Sequence, residues 1–572
     1  MARADTAFQF QRTSIRLALS AILIVPTATS AQVAPVPGSI GVPGAPGGLT
    51  TPIGTGPSVD ARNGISYGVR ASMLISSNLD LAPDGQKSGR HLMSEVAPYV
   101  QARFDSPRGY GLASYSLRGQ LSESNLEFRH DLRAVGDIRI TDEMLRVFAS
   151  ASIFQVNTDP FRASSYDPGS QRTNVQQYKQ FEVSPYAGGR FDRQGFWNVR
   201  YNLRYIDPGN SSALQALGAN SPSIWNSVSA GLRTDLTNRQ LGLSVSGSAY
   251  QADYEQGASY TGSDADALAW LAINTWRLRV GAGVGYSQNS RLKNDSGENS
   301  GIGPSMAFEW APDNSNFLKG RWAQRYYGGA GDLTASHRAA NWSFSLNYSK
   351  GITDGNLSNI GGLYPGALGA GGLSSSSLGS LFTPIGAGNS AIATNPIAQG
   401  LANRNLLFGG SGLSNLGSLS SLQGSTLGLI NGLNTATIVF YDALSANLSF
   451  LGARSGATAQ VFVNNRKTAV PYVTGVYDDL DQKGFSLAGT FRMDPVQSLN
   501  ALLRYTVSDS NSRNQHSNLT SLVGTYDWRV TPRATVSFGA RAQTQSGSGT
   551  SVDYNEFAVF VSADYRFQPY LD

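Results

Sequence analysis

The chain has 572 residues, of which 40% are hydrophobic and only 15% charged, and its formal net charge is +5. So small a charge excludes nucleic-acid binding driven by net charge, and the absence of cysteine excludes a disulfide framework, a thiolate metal site and covalent haem attachment. No run of about 18 apolar residues occurs, so the sequence predicts no transmembrane helix.

The N-terminal region carries an export signal. Within residues 1–31, three arginines (Arg3, Arg12 and Arg16) precede an apolar segment, and small residues end at Ala31, which together predict a secretory signal peptide. Residues 32–60 are dense in proline and glycine, a composition that cannot bury a core. We therefore predict a periplasmic linker between the signal peptide and the first strand.

Residues 61–567 alternate apolar and polar side chains with the period of two that is typical of strands with one apolar face. Short turns alternate with mostly longer polar connections, such as 76–90, 155–175, 207–222, 251–265 and 288–301. This alternation predicts an all-β fold, a single large antiparallel transmembrane β-barrel of about 22 strands, with roughly 20 to 24 as the range. Short periplasmic turns and long extracellular loops are expected, and the predicted location is the bacterial outer membrane. The predicted turns lie at 105–109, 141–143, 192–195, 236–238, 274–275, 311–314, 339–341, 453–456, 494–497 and 531–533.

The last strand closes the predicted barrel. Its apolar side chains alternate from Phe557 to Phe567, and it is expected to pair with residues 64–75 so that no edge remains. Tyr565 and Phe567 fit the terminal aromatic pattern by which such barrels are recognised for insertion. Residues 568–572 extend past this signal, and we predict that this C-terminal tail is dispensable.

Residues 353–435 interrupt the strand pattern. They are rich in Gly, Ser, Leu and Asn and carry no alternation. A connection of this length is either functional or disordered. Two interpretations stay open, a long surface loop and a plug that folds back into the lumen.

Basic side chains occupy the polar face of many strands, which is the lumen face of the predicted barrel. An excess of positive charge in a water-filled lumen favours anionic permeants. Alternatively, these residues pair with lumen acids and fill space. The predicted lining consists of Arg70, Arg103, Arg118, Arg133, Arg139, Arg200, Arg204, Arg277, Arg279 and Arg321, with Arg146, Arg541 and Lys319 on the same face.

Residues that could carry chemistry do not form a recognisable catalytic motif. No nucleophile elbow or zinc-type histidine pair is present, and His91, His130, His337 and His516 are predicted to be surface residues. Acidic residues in two predicted loops could bind Ca²⁺ but are expected to be solvated. These residues are Asp478, Asp479 and Asp481 in one loop, and Asp264 and Asp266 in the other. We predict no catalytic residue, no metal and no cofactor.

A row of glycines lies inside one predicted strand. Gly281, Gly283 and Gly285 alternate along its inward face, with no helix after them as a phosphate loop would need. Their plainer meaning is a face stripped of side chains, which permits curvature or the close approach of another segment.

Several stretches resemble a known family, the outer-membrane proteins associated with the exosortase and PEP-CTERM sorting system. They are Asn78-Leu79-Asp80-Leu81-Ala82-Pro83-Asp84-Gly85, Trp310-Ala311-Pro312, Arg325-Tyr326-Tyr327-Gly328, Ser336-His337-Arg338, Trp342-Ser343-Phe344-Ser345 and Thr531-Pro532-Arg533. The resemblance implies a β-barrel linked to exopolysaccharide or surface sorting. It assigns no reaction and no functional residue.

The leading functional prediction is a non-enzymatic outer-membrane barrel for export or surface assembly of an exopolysaccharide, with the lumen as conduit or scaffold. The alternatives are a general or anion-preferring porin and a barrel enzyme that acts on lipid or polysaccharide. Expected partners are outer-membrane lipid, the barrel-assembly machinery, an anionic polysaccharide and periplasmic export proteins, and no nucleic acid.

Overall fold

A computed structural model describes the chain from residue 64 to residue 567, apart from 84–90, 107, 123–124, 142–143, 158–160, 164–174, 192–194, 208, 210–221, 235–239, 256–258, 274–276, 314, 340, 355–435, 453, 472–478, 495 and 550–551. The predicted signal peptide, linker and C-terminal tail lie outside the described residues, as does most of the 353–435 insert. Among the described residues, no helix is long and apolar enough to cross a membrane.

The described residues form 22 strands in one sheet. Their bounds are β1 Gly64–Ser76, β2 His91–Ser106, β3 Gly109–Ser122, β4 Asn125–Arg139, β5 Leu145–Asn157, β6 Val175–Phe191, β7 Gly195–Asp207, β8 Ser223–Thr234, β9 Leu241–Tyr254, β10 Tyr260–Ile273, β11 Leu278–Asn289, β12 Ser300–Trp310, β13 Asn316–Arg325, β14 Gly328–Arg338, β15 Trp342–Asp354, β16 Ala436–Leu451, β17 Ser455–Pro471, β18 Leu480–Arg492, β19 Gln497–Ser510, β20 Gln515–Thr531, β21 Ala534–Ser548 and β22 Tyr554–Phe567.

Each strand pairs antiparallel with its neighbours in the chain, and β1 pairs with β22, which closes the sheet into a barrel. The predicted fold class and strand count are therefore confirmed. All the predicted short turns fall between strands at one end of the barrel, which we call the short-turn end. The opposite end, the long-connection end, carries the remaining connections.

One predicted loop is wrong. Residues 251–265 are mostly strand, because β9 continues to Tyr254 and β10 begins at Tyr260. Their polar side chains had indicated a loop, but in a barrel they are tolerated on the inward face.

The two faces of the wall differ in chemistry. In β7, Val199 and Tyr201 are 42% and 43% exposed, while Asn202 and Arg204, which follow on the opposite face of the strand, are each 2% exposed. The same alternation recurs around the barrel, so the outer surface is apolar and the inner surface largely polar. Only lipid suits such an outer surface on a closed barrel. The protein is an outer-membrane β-barrel of the Gram-negative type.

The wall is interrupted at the β13–β14 hairpin, near the long-connection end. The ladder between β12 and β13 covers only Ser305–Trp310 and ends where Pro304, which has no N–H to donate, follows on β12. On the other side of the same hairpin, the ladder between β14 and β15 ends at the pair Gly331 and Lys350. The end of the β13–β14 hairpin, residues 324–330, therefore leaves the wall. We call it the hairpin tip.

Candidate functional site

The hairpin tip lies on the interior face of the neighbouring strands. A Cβ atom added to Gly303 of β12, on the inward face, would overlap the carbonyl oxygen of Gln324, and one added to Gly301 would lie 2.9 Å from the Cβ of Tyr326. Ala323 and Ala330 at the two ends of the tip are 0% and 2% exposed. The tip thus turns into the barrel and reduces the opening at the long-connection end.

Arg325 fixes the tip to the wall. Its Nη2 donates to Asp266 Oδ2 of β10 at 2.6 Å, and its Nη1 donates to the carbonyl oxygens of Tyr286 at 3.0 Å and Ala265 at 3.3 Å. Asp264 Oδ1 lies 4.0 Å from Nε. The guanidinium is thus surrounded by oxygen acceptors from β10 and β11, an arrangement suited to its fixed array of donors.

The sequence predicted that Asp264 and Asp266 lie in a loop, and this prediction is wrong. Both lie in β10, at 7% and 3% exposure on the inward face. Asp266 also pairs with Arg321 and accepts a hydrogen bond from the Ser305 hydroxyl at 2.7 Å. A buried carboxylate is unfavourable without such partners, and two arginines of β13 supply them to the aspartates of β10.

The glycine row of β11 makes room for this arrangement. Across the β10–β11 ladder, Gly281 faces Trp270, Gly283 faces Leu268 and Gly285 faces Asp266. A Cβ atom at Gly285 would lie 2.5 Å from Arg325 Nη1 and 2.6 Å from Asp266 Oδ1. The prediction that this face permits close approach is confirmed, and the groups that approach are the arginine and its carboxylate partner.

An aromatic and aliphatic cluster fills the interior beside the tip. Tyr326 and Tyr327 pack against it, and the Tyr326 hydroxyl donates to the carbonyl oxygen of Leu292 at 3.3 Å. The indole of Trp225 and the ring of Tyr250 stack with centroids 5.3 Å apart. The buried members are Tyr178, Ile206, Trp225, Tyr250, Ala252, Tyr254, Tyr260, Leu292, Ile352 and Ile438.

One member of the cluster, and one residue packed against it, have the parity of the outward face of the wall. Ile352 of β15 pairs with Phe440 of β16, and both have the parity of residues that point to lipid lower in these strands, such as Trp342 and Leu444. Ile352 is nevertheless 3% exposed and Phe440 packs against the same cluster. The ends of β15 and β16 therefore follow the hairpin tip into the barrel.

Several of the predicted lining arginines have carboxylate partners. The contacts are Arg70 with Asp564 at 3.1 Å, Arg118 with Asp131 at 3.3 Å, Arg204 with Glu182 at 2.9 Å, Arg279 with Glu309 at 3.5 Å, and Arg321 with Asp266. Arg146 and Arg541, on the same face, pair with Asp137 and Glu556. These pairs neutralise much of the positive charge locally.

The other predicted arginines have different surroundings. Arg200 donates to the Ser184 hydroxyl at 2.5 Å and lies over the ring of Tyr186. Arg139 is exposed at the end of β4. Arg277 occupies a turn with φ +49°, one residue before β11, and not the lumen-facing strand position expected from parity. The strand begins one residue later because the left-handed φ of Arg277 ends the extended backbone. The side chains of Arg103 and Arg133 lie outside the described part.

Another part of the interior wall, formed by β17–β20, differs in chemistry from the ion pairs around Asp266, Arg321 and Arg325. Its inward side chains are mainly uncharged amides and hydroxyls, which donate and accept hydrogen bonds. Buried uncharged polar members are Gln460, Asn464, Gln482, Ser486, Thr490, Asn500, Thr506, Ser517, Ser521 and Thr525, and buried charged members are Arg466, Arg504 and Asp527.

The histidines do not converge on one site. The Tyr115 hydroxyl lies 2.8 Å from His130 Nδ1, Asn316 Oδ1 lies 2.7 Å from His337 Nδ1, and Asp509 Oδ1 lies 2.5 Å from His516 Nδ1. His91 begins β2. Among the described residues no group of three or more His, Cys, Asp or Glu side chains could hold a metal ion. Asp479 and Asp481 are in this described part and Asp478 is not.

Sequence reasoning missed Arg325 as a site residue. Its one signal was indirect, since Arg325-Tyr326-Tyr327-Gly328 is among the stretches that resemble the exosortase-associated family. The same four residues form the turn of the hairpin tip.

A scan against protein-family models finds no match, and a search of curated proteins finds no relative. Among solved structures, the chain is similar to the FrpB iron transporter from Neisseria meningitidis, at 10% identity and a TM-score of 0.41 over 88% of this chain and 82% of that one. It is similar to the siderophore receptor PirA from Pseudomonas aeruginosa, at 10% identity and a TM-score of 0.34 over 87% and 80% of the two chains. The copper transporter OprC matches at 10% identity with a TM-score of 0.30, over 88% and 81%.

Proposed function

We propose that this outer-membrane barrel serves the export or surface assembly of an exopolysaccharide, with its lumen as the conduit and the hairpin tip as the element that restricts it. The proposal includes no catalytic step. Its partners are membrane lipid, the barrel-assembly machinery, the polysaccharide and periplasmic export proteins.

The observation that carries the proposal is the wall of β17–β20, on which uncharged polar side chains outnumber the buried charges of Arg466, Arg504 and Asp527. Sugar hydroxyls both donate and accept hydrogen bonds, as do the amides and hydroxyls of Gln460, Asn464 and Thr490 on this wall. Such groups can exchange partners as a polymer moves, whereas a wall of fixed charges would hold an anionic chain in place. A barrel of 22 strands is also wide enough to enclose more than its own side chains.

The sequence resemblance to exosortase-associated barrels supports the same substrate class. That family is linked to extracellular polysaccharide, and the resembling stretches include the turn of the hairpin tip. The proposal therefore joins a polymer class suggested by the resemblance to a wall whose chemistry suits it.

A clean deletion scored for secreted polysaccharide tests the proposal. Loss of surface polymer is expected, with recovery on complementation by the wild-type chain. Complementation by Gln460→Leu with Asn464→Leu should fail, because both side chains face the interior. Val461→Leu with Val463→Leu is the matched control on the outward face of the same strand, where the side chains are 53% and 40% exposed. Unchanged polymer in the deletion strain would refute the proposal.

A porin for small anions is the second candidate. Arg200 favours it, because this interior guanidinium donates to a serine hydroxyl and stands beside the Arg204–Glu182 pair. Ohmic anion-selective currents from the purified barrel, in a deletion strain with normal surface polymer, would favour the porin.

A further inference from the structure

The hairpin tip leaves a seam in the wall between β12 and β13. Residues 300–304 of β12 pair with β11 on one side, but their other side has no ladder partner among the described residues. The segment of β13 that would continue the ladder lies on the interior face, over Gly301 and Gly303. The wall therefore overlaps itself here.

The seam lies at the depth of the hydrocarbon. Trp310, Met306 and Ile302 follow one another along the outward face of β12 and are 40%, 52% and 77% exposed. The eight residue-to-residue steps from Trp310 to Ile302 span roughly 26 Å along the strand, or about 20 Å along the barrel axis at the usual tilt. An outward apolar band is about 25 Å tall, so Ile302 is still within it.

A strand edge in lipid is unfavourable, because its N–H and C=O groups find no water. Backbone of this kind is tolerated at membrane depth only where it is covered by protein or lines a cavity. Pro304 removes one donor from this edge, which lowers the cost of leaving the ladder unmade. The sequence thus favours a seam at this position over a continuous wall.

The interior side of the seam is apolar. Tyr326 and Tyr327 of the tip pack with Leu292, Ile352 and Phe440, so apolar side chains continue from the lipid-facing surface into the barrel. Behind them begin the polar groups around Arg325 and Asp266. An apolar entrance followed by a polar interior matches a molecule with an acyl chain and a hydrogen-bonding head.

We propose that the seam between β12 and β13 is a lateral portal, through which the acyl chain of a membrane amphiphile enters the barrel while its head group occupies the polar interior. The Tyr326–Tyr327 turn contacts the chain. The portal goes beyond the proposed polymer conduit and does not depend on it.

Photo-crosslinking in native outer membranes tests the portal. Benzoylphenylalanine replaces Tyr326 at the seam or Tyr99, an inward tyrosine of β2 that is 6% exposed and hydrogen-bonds Asp564. After irradiation, mass spectrometry measures adducts with phospholipid and lipopolysaccharide. Several-fold more lipid adduct at position 326 than at position 99 is expected, and equal labelling of the two positions would overturn the proposal.

A second pair of variants tests the route. Ile302→Glu places a charge at the outer side of the seam and should reduce the adduct at position 326 several-fold. Val284→Glu, on the adjacent strand with the side chain 55% exposed, is the control and should leave the adduct unchanged. Equal effects of the two charges would overturn the proposal, since they would show that lipid reaches Tyr326 by another path. Only variants with wild-type heat-modifiable migration are compared, and the polymer assay of the deletion strain reports independently on the proposed conduit.

Discussion

Arg325 of β13 and Asp266 of β10 are joined by a hydrogen bond of 2.6 Å although β11 and β12 lie between their strands in the sheet. The hairpin tip has left the wall and crosses the interior faces of β12 and β11, so Arg325 reaches the carboxylate with which Arg321, still within the β12–β13 ladder, also pairs. Both side chains are nearly inaccessible, so the contact links the closure of the barrel mouth to one buried ion pair.

Loss of the contact between Arg325 and Asp266 should widen the opening at the long-connection end. Removal of the Arg325 side chain takes away the three hydrogen bonds that it donates to β10 and β11, whereas Asp266 keeps its contacts with Arg321 and Ser305. Arg325→Ala is therefore expected to raise single-channel conductance in planar bilayers above that of the wild type. Arg279→Ala is the control, because Arg279 is 41% exposed and 3.5 Å from its partner. An unchanged conductance in Arg325→Ala would show that the tip does not limit the opening.

The glycine row should be as important as the ion pair. Gly285→Ala places a methyl group against Arg325 and Asp266, and overpacking of this kind costs about 1 to 3 kcal/mol. We expect higher conductance and a lower temperature for the heat-induced mobility shift. Gly489→Ala in β18 serves as the matched strand glycine, because the nearest atom to its added Cβ is 4.0 Å away. A similar effect of both substitutions would argue for a general strand effect.

The interior arginines are predicted to influence ion selectivity. Replacing Arg200, Arg204 and Arg279 together with Ala should reduce preference for anions in planar bilayers, whereas Arg277→Ala, in the turn before β11, should not. We expect Arg200 to contribute more than Arg204, whose charge is balanced by Glu182 at 2.9 Å. Reversal potentials in a salt gradient measure the preference for anions. Identical values for wild type and variant would contradict the hypothesis that positive charge in the lumen favours anionic permeants.

The closing strand should tolerate loss of the tail but not of its aromatic end. Phe567 stacks on Tyr67 of β1 with ring centroids 5.6 Å apart, directly at the β1–β22 junction. Deletion of residues 568–572 should preserve assembly, while Phe567→Ala should reduce the heat-modifiable form in outer-membrane fractions. Misassembly of the truncated chain would place part of the insertion signal in the tail.

The turn between β12 and β13 should show a measurable pKa shift. The pKa of Asp313 is lowered, first by the hydrogen bond from the Asn316 side chain and then by that from the Ser315 backbone N–H. A lowered pKa in the folded state stabilises the turn above the unfolded pKa, and this stabilisation is lost as pH falls through the folded value. Asn316→Ala should raise the pKa of Asp313 in a carbon-13 NMR titration. Ser315→Ala keeps its backbone donor and should not.

The sequence by itself determined the barrel. Alternating side chains, short turns and the terminal aromatic strand specify strands of membrane-spanning length, and in lipid these strands must close on themselves to pair every backbone group. The face of each residue followed from the same period of two, as Val199 and Asn202 show. That period carries no information about where a strand leaves the sheet.

Only the tertiary structure decided that the hairpin tip turns inward and that Asp264 and Asp266 are buried in β10. Their positions depend on contacts between strands that are not neighbours in the chain, such as Arg325 on β13 with Asp266 on β10. A polar stretch with aspartates is predicted as a loop when the arginines that pair with those aspartates, here Arg321 and Arg325, are not known. The glycine row of β11 indicated that space is needed on this face, and the folded barrel shows that Arg325 and Asp266 occupy the space beside Gly285.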